Sequence, residues 1–309
     1  GSTFKLFVYL AAFRAGMTPD DMIEDTPITT GTYRPANHGG KYRGRITLRQ
    51  AFAASSNVAA VRLTQKVGVD NVIKVARDLG VTAPLTEDLS LALGTSEIPL
   101  VELAEAYASV AAGAYPVLAH GLPPEEQGWF DRLMKRQRHF SDDQLEMIRD
   151  LLSSAANRGT GSAAALRTST FGKTGTTQDS RDAIFVGYAG GLVTAVWIGN
   201  DDNAPLPGGA AGGGVPARIW RNFMAGAINE PVEKVPEEEQ DPDLVNAIAN
   251  VSVETGIGNV GVGMDQGGMT VTIDGNQLRL PSDQPLPLPP QGVPPPRIAP
   301  TQPQENEPQ

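Results

Sequence analysis

The chain has 309 residues, and 40% of them are hydrophobic, which is enough to build a core and excludes wholesale disorder. Acidic residues outnumber basic residues 35 to 25, and the formal net charge of −10 argues against a general nucleic-acid-binding protein. The absence of cysteine excludes disulfides and thiolate nucleophiles, and three histidines are too few to favour a multi-histidine metal site. No run of about 18 apolar residues is present to cross a membrane.

The first half of the chain has the pattern of successive helices. A recurring apolar face predicts a helix over residues 3–14, and frequent Pro and Gly predict a loop over 16–46. Thr47 with Gln50 is a capping box that begins the next helix, and Ser141 with Gln144 is a second one. The remaining helices are predicted over 58–67, 70–80 with Asp70 as the cap, 99–112 and 142–156.

The second half changes to short strands. Segments rich in β-branched and aromatic residues predict strands over 168–176, 182–189 and 192–200, and Gly190–Gly191 predicts a hairpin between the last two. A helix over 216–228 follows them. Helices followed by a small antiparallel sheet are an α+β arrangement rather than alternating βαβ units.

Residues 230–309 have a different composition. They contain 13 of the 35 acidic residues but 3 of the 25 basic ones, so the first 229 residues hold 22 of each and are formally neutral. Asp274–Gly275 predicts a short hairpin over 269–280. From Pro281 onward 11 of 29 residues are proline, which predicts an extended, solvated segment. We therefore expect one domain over 1–229 and a largely disordered extension over 230–309.

Two motifs in the helical half carry groups suited to nucleophilic catalysis. Ser2–Lys5 (STFK) places a hydroxyl and an amine three residues apart, on one face of a helix. An amine with a lowered pKa can take the serine proton. Ser55–Asn57 (SSN), at the break between two helices, offers a hydroxyl and a carboxamide. The structural alternatives are a chance spacing for the first motif and a helix cap for the second.

A third motif, Lys173–Thr177 (KTGTT), lies at the end of a predicted strand. It supplies one positive charge, hydroxyls for an anion and a backbone edge for a peptide. Its structural alternative is a solvated strand end followed by a turn.

Two matches to nucleotide-binding motifs are rejected. Gly172–Thr174 matches the end of a P-loop, but the first glycine of that motif would fall at Arg167. Gly256–Gly261 is a formal GxGxxG, but further glycines follow it where a dinucleotide site needs a helix. We interpret that segment as a glycine-rich loop, and no cofactor or metal is predicted.

The order SxxK, SxN, KTG is a signature of penicillin-binding proteins and related β-lactamases. Over about residues 1–229 the sequence resembles the transpeptidase domain of a class A (bifunctional) penicillin-binding protein. The stretches around the motifs are also similar to that family: KYRGRITLRQAFAASSNVAAVRL, LSLALGTSEIPLVELAEAYASVAAG and FGKTGTTQDSRDAIFVGYAGGLVTAVWIGNDD. The resemblance implies a β-lactamase/transpeptidase-like α+β fold with helices packed on an antiparallel sheet.

The resemblance also implies catalytic roles for the matching residues. Ser2 would be the acylated nucleophile, and Lys5 would take its proton. Ser55 would relay a proton with Lys173. Asn57 would hydrogen-bond the amide of the donor peptide.

The same resemblance implies the substrate contacts. Thr174, Gly175 and Thr176 would form the substrate-binding edge, with the two threonines on the terminal carboxylate of a D-Ala-D-Ala stem. The backbone N–H groups of Ser2 and Thr176 would form the oxyanion hole. The implied partners are peptidoglycan stem peptides and β-lactam antibiotics, without nucleic acid.

The chain begins one residue before the predicted nucleophile and has no initiator Met. The family places a helix and strands before this motif, so we expect an N-terminally truncated domain with an incomplete sheet, in which only the strands near 168–200 pair. The parent protein would be anchored in the inner membrane, would carry a glycosyltransferase domain and would act in the periplasm.

The motifs leave the acceptor of the acyl group open. In DD-transpeptidation the acceptor is an amine of a neighbouring peptidoglycan strand. In DD-carboxypeptidase or β-lactamase-type hydrolysis it is water. A penicillin-sensing module that is acylated without turnover is a third alternative, and the Pro-rich tail could serve as a ligand for a partner protein.

Overall fold

The structure of the chain is a computed structural model. It describes residues 1–29, 33–120, 137–177 and 180–231, and the backbone of four strands between 251 and 281. The chain divides into two compact units, Gly1–Lys234 and Val235–Gln309. The division falls close to the domain boundary expected after residue 229.

Helix α1 is the buried centre of the first unit. It follows a 3-10 turn at Ser2–Phe4, and every residue from Lys5 to Phe13 is buried. A helix that is buried on all sides must pack against other elements all round. The helices of this unit are α1 (Lys5–Arg14), α2 (Leu48–Ala53), α3 (Asn57–Val67), α4 (Val69–Asp78), α5 (Leu100–Ala112), α6 (Asp142–Arg158) and α7 (Val215–Ala227).

Most predicted helix boundaries are confirmed to within one or two residues, because local capping signals fix them. The Thr47–Gln50 capping box has both of its hydrogen bonds, and the Ser141 hydroxyl accepts from the Gln144 backbone N–H. The prediction that Asp70 caps a helix is wrong. Gly68 is the N-cap of α4, and Asp70 lies inside its first turn, where its charge complements the helix dipole.

The main sheet of this unit has three antiparallel strands, β5 (Phe171–Thr176), β6 (Asp182–Ala189) and β7 (Leu192–Gly199). The β6–β7 hairpin turns at Gly190–Gly191, where both residues have positive φ, as a two-residue hairpin turn requires. Among the described strands β7 pairs only with β6. The predicted α+β arrangement and its antiparallel strands are therefore confirmed.

The prediction of a loop throughout 16–46 is wrong, and so is the expectation that only the strands near 168–200 pair in this domain. Strand β1 (Met22–Asp25) pairs antiparallel with β2 (Gly44–Thr47), so that Met22 lies opposite Thr47 and Asp25 opposite Gly44. These strands are four residues long and lie among Pro and Gly, so turn signals outweigh them in the sequence. A second short pair joins β3 (Ala114–Tyr115) to β4 (Arg138–His139).

The second unit contains a four-stranded antiparallel sheet in the order β11-β10-β9-β8. Strands β10 and β11 are the hairpin expected over 269–280. The interpretation of Gly256–Gly261 as a loop is wrong for its last four residues, which begin β9. Glycine there alternates with Val and Met, a strand period. The strands are β8 (Val251–Thr255), β9 (Gly258–Asp265), β10 (Gly268–Ile273) and β11 (Asn276–Pro281). The Pro-rich segment after 281 lies outside the described residues.

Candidate active site

Ser2 and Lys5 lie on the first turn of the buried helical segment. The Lys5 Nζ donates to the Ser2 Oγ at 3.0 Å, and the lysine side chain is fully buried. The buried Tyr107 hydroxyl donates to the Thr3 carbonyl at 3.1 Å and holds this turn from α5. The predicted Ser-Lys pair is thus brought together by the helical spacing of the sequence.

The Ser55–Asn57 segment forms the corner between α2 and α3, and it faces Lys5. The Lys5 Nζ donates to the Ser55 carbonyl and to the Asn57 Oδ1, both at 2.7 Å. Ser55 has a φ of 55°, which is uncommon for a non-glycine residue. Ser56, which lies between Ser55 and Asn57, caps α3: its hydroxyl oxygen accepts from the Ala59 backbone N–H. The functional and the capping interpretations of this motif therefore apply to different residues.

Lys173 approaches the same corner from β5. Its Nζ donates to the Ser55 Oγ at 2.9 Å, and Lys5 lies 3.3 Å from that oxygen. The Lys173 ammonium also lies 5.6 Å from the centre of the Phe52 ring, within range of a cation–π contact. The hydroxyl of Ser55 consequently bridges the two buried amines.

The environment of the two lysines disfavours their charged forms. Burial lowers the pKa of Lys5 well below its usual 10.5, and the charge of Lys173 lowers that pKa further, whereas Asp25 raises it. Burial lowers the pKa of Lys173 to about 7. A lysine that is neutral near pH 7 is a competent general base.

The contacts of Lys5 indicate where its lone pair points. A neutral amine has two N–H donors and one lone pair. The Ser55 carbonyl and the Asn57 Oδ1 only accept hydrogen bonds, so they take both donors. The lone pair is then left for the Ser2 Oγ, whose hydroxyl becomes the donor in that contact.

The rest of the third motif lines the edge of β5. Thr174 is buried, and its hydroxyl lies 2.6 Å from that of Thr160. The Thr176 Oγ1 accepts from the Gly212 backbone N–H at 3.1 Å, which leaves the Thr176 hydroxyl proton free to be donated. Gly175 is close to Thr3, since a Cβ at position 175 would lie 3.1 Å from the Thr3 methyl group.

Sequence reasoning missed the residues that support these motifs. Thr160 and Gly212 contact the third motif from a helix end and from a loop, and Asp25 and Asn37 contact the second motif. The glycines on either side of Thr160 and the glycine run at 212–214 were the available signal for close approach at two of these places. In the part of the chain that the structure describes, no three His, Asp or Glu residues cluster as metal ligands.

The family model of the penicillin binding protein transpeptidase domain matches residues 1–225. The chain belongs to the penicillin-binding protein transpeptidase family. Its curated relatives include penicillin-binding protein 1A of Neisseria gonorrhoeae, which is 34% identical over 247 residues, and that of Rickettsia conorii, which is 30% identical over 264 residues. Each match covers 74% of this chain, but the chain spans about a third of these relatives, 31% and 33% respectively.

Solved penicillin-binding proteins have the same fold. The penicillin-binding protein PonA1 from Mycobacterium tuberculosis superposes with a TM-score of 0.61 and 26% identity, over 76% of this chain and 70% of the other. PonA1 in complex with penicillin V gives the same TM-score with 27% identity, over 76% and 71%. Penicillin-binding protein 1A from Haemophilus influenzae, with a TM-score of 0.62 and 24% identity over 82% and 44%, supports the fold. The predicted transpeptidase-like fold is confirmed.

None of the helices in the described residues has the length and apolar character needed to cross a membrane.

Proposed function

We propose that this domain is a serine DD-transpeptidase in which Ser2 is the nucleophile and Lys5 is its base. One observation carries the proposal: the Lys5 Nζ lies 3.0 Å from the Ser2 Oγ while two obligate acceptors occupy its N–H groups. This arrangement directs a lone pair at the one hydroxyl that must lose a proton. All three motifs lie within the residues that match the penicillin binding protein transpeptidase family, which supports the proposal.

In the acylation step the Ser2 Oγ attacks the carbonyl carbon of the penultimate D-Ala while its proton moves to Lys5. The tetrahedral intermediate collapses, the C–N bond to the terminal D-Ala breaks, and the leaving nitrogen needs one proton. The proton on Lys5 reaches that nitrogen through the Ser55 hydroxyl, which lies 3.3 Å from Lys5 and 2.9 Å from Lys173, and Lys5 becomes neutral again. The products are an ester on Ser2 and free D-Ala.

In the second step an amine of a neighbouring stem peptide attacks the ester carbonyl. Lys5, neutral again, takes a proton from this amine, and Ser2 recovers its hydroxyl proton as the ester bond breaks. The new amide joins two stem peptides. Each step begins and ends with a neutral Lys5, so the lowered pKa of Lys5 serves both steps.

The third motif supplies the substrate contacts in this proposal. Protonated Lys173 attracts the terminal carboxylate of the stem, and the Thr176 hydroxyl donates to it, since its oxygen already accepts from Gly212. Thr174 contributes a second hydroxyl to this contact, and that hydroxyl is held in place by its hydrogen bond with the Thr160 hydroxyl. The backbone N–H groups of Ser2 and Thr176 form the oxyanion hole, and Asn57 orients the amide of the stem.

We propose peptidoglycan stem peptides and β-lactams as the partners. β-Lactams would acylate Ser2 as ring-strained analogues of D-Ala-D-Ala, and the structural relative PonA1 in complex with penicillin V supports β-lactam binding. The curated relatives are about three times longer than the matched part. We propose that the complete protein is anchored in the inner membrane, acts in the periplasm and also carries a peptidoglycan glycosyltransferase.

An acceptor-exchange assay separates transpeptidation from hydrolysis. The chain is incubated with a synthetic peptide ending in D-Ala-D-Ala and an isotopically labelled D-amino acid. We expect release of D-Ala together with labelled peptide. Ser2→Ala should form neither product, whereas Ser153→Ala, a matched change outside the three motifs, should form both.

Two results would count against this proposal. Unlabelled, shortened peptide as the only product would identify a DD-carboxypeptidase, in which water is the acceptor. Release of D-Ala that survives Ser2→Ala would remove Ser2 from the reaction.

A further inference from the structure

A buried polar cluster lies behind the Ser55–Asn57 corner, away from the reacting groups. It consists of Asp25 at the end of β1, Asn37 in the loop before β2, and Ser56, whose exposed fractions are 0%, 7% and 2%. Polar side chains buried to this extent are costly unless every group is paired. All three side chains are hydrogen-bonded to one another.

Asn37 fixes the backbone of the corner. Its Oδ1 accepts from the backbone N–H groups of Asn57 at 2.8 Å and Val58 at 3.1 Å, two of the N–H groups that the start of a helix leaves unpaired. Its Nδ2 donates to the Asp25 Oδ1 at 2.6 Å and to the Lys41 carbonyl at 2.9 Å. With both ends of the amide engaged, the Asn37 side chain has one orientation.

The residue before Asn37 fixes the side chain of Asn57. The Ala36 carbonyl accepts from the Asn57 Nδ2 at 2.9 Å, which turns the Asn57 Oδ1 toward Lys5. Residues 36 and 37 thus set both the backbone and the side-chain amide of Asn57.

Asp25 anchors the cluster as its one carboxylate. Its Oδ1 accepts from the Ser56 hydroxyl at 2.7 Å as well as from Asn37, and its Oδ2 accepts from the Arg43 backbone N–H at 3.1 Å. These bonds join β1, the loop before β2 and the start of α3. They are charge-assisted, and therefore stronger than bonds between neutral groups.

The corner needs this support because Ser55 is strained. A serine at φ 55° persists only where its surroundings over-determine the conformation. That conformation places the Ser55 carbonyl 2.7 Å from Lys5 and the Ser55 hydroxyl 2.9 Å from Lys173. Relaxation of Ser55 would withdraw its carbonyl, one of the two acceptors that aim the Lys5 lone pair at Ser2.

We infer that Asp25 and Asn37 are positioning residues for acyl transfer, which hold the strained Ser55–Asn57 corner against the two catalytic lysines. They touch no reacting atom, and both act through Ser55 and Asn57. The charge of Asp25 also raises the pKa of Lys5, so the Asn37 variants test positioning most directly. The inference rests on the proposed function, because acylation of Ser2 is the step that they serve.

The test exchanges the two groups of the pair. Asn37→Asp and Asp25→Asn each break the carboxylate–amide match between positions 25 and 37. The double variant restores that match with the partners reversed but leaves the Lys41 carbonyl without its donor, so its recovery should be partial. The readout is the second-order rate constant for labelling by a fluorescent penicillin, with thermal unfolding measured in parallel. We expect each single variant to be slower by about a hundredfold, and the double variant to recover at least tenfold. Asn157→Ala, which removes an asparagine with three hydrogen bonds elsewhere, should keep the original rate.

A purely structural role predicts a different result. The melting temperatures would then change, while the labelling rate of each folded variant would equal that of the unsubstituted chain, and this result would overturn the inference. Failure of the unsubstituted chain to label would count against the proposed function instead.

A crystal structure of the Asn37→Ala variant tests positioning without any labelling. We expect Ser55 to leave the positive-φ region and its carbonyl to lose the hydrogen bond to Lys5. A corner that is unchanged in this variant would overturn the inference on its own.

Discussion

Lys5 and Lys173 are two fully buried amines that share the hydroxyl of Ser55. Two ammonium groups in such a place would repel each other and would both lack water, so the site favours a state in which Lys5 is neutral. Lys173, whose pKa is about 7, keeps the remaining proton more easily, because burial lowers both pKa values but the charge of Lys173 lowers that of Lys5 further. This division gives one base and one cation from two identical side chains.

The two lysines predict a bell-shaped dependence of acylation on pH. The rate of penicillin labelling should rise as Lys5 loses its proton, since only the neutral amine accepts the proton of Ser2. It should fall above about pH 7, where Lys173 loses the charge that attracts the carboxylate. Labelling rates across the pH range measure both limbs, with thermal unfolding as the control for stability. A rate that climbs steadily to about pH 10 would show ordinary, unshifted lysines.

At the scale of elements, a glycine-rich loop before α7 closes on the edge of β5. A Cβ on Gly212 would clash with the backbone carbonyl oxygens of Ile184 and Gly175 and would lie 2.9 Å from the Gly175 nitrogen. The loop reaches β5 this closely because position 212 has no side chain, and the close approach brings its N–H to Thr176.

Gly212→Ala should therefore weaken the edge of β5 that we propose binds the substrate. The methyl group has to push the loop away from backbone atoms, at a cost of about 1–3 kcal/mol, and the hydrogen bond to Thr176 is lost. We expect a lower melting temperature and penicillin labelling about tenfold slower. Gly226→Ala is the matched control, because a Cβ at that position of α7 meets nothing within 4 Å. Equal labelling rates for the two variants would show that this contact does not matter.

Elements also show how far the sequence predicts the structure. The capping box at Thr47–Gln50 and the turn at Gly190–Gly191 were recognised because their signals are contained within a few residues. The β1–β2 pair was missed, since its strands are short and about twenty residues apart. The bonds of Asp25 to Asn37 and Ser56 span 12 and 31 residues, and no local pattern announces them. Motif residues were predictable from spacing, whereas the residues that position them needed the fold.

For the whole molecule, the net charge is divided between the two parts of the chain at nearly the same residue as the two compact units. The net charge of −10 belongs to residues 230–309, and the 229 residues before them are formally neutral. The hydrogen bonds described for the site all lie within the unit Gly1–Lys234. The proposed mechanism acylates one residue, Ser2, in each chain of 32.6 kDa, so the mass of the intact chain counts the acyl groups that it carries.

The intact mass of the chain after reaction with penicillin tests the central claim, that Ser2 is acylated with Lys5 as its base. We predict one added penicillin per chain, mapped to Ser2 by peptide analysis, and none on Ser2→Ala. Lys5→Arg keeps the charge but not a neutral amine, and it should slow the addition by about a hundredfold or more. Lys66→Arg, the same change on an exposed face of α3, should leave the rate of addition unchanged. An adduct on another residue, or one that persists in Ser2→Ala, would contradict the account.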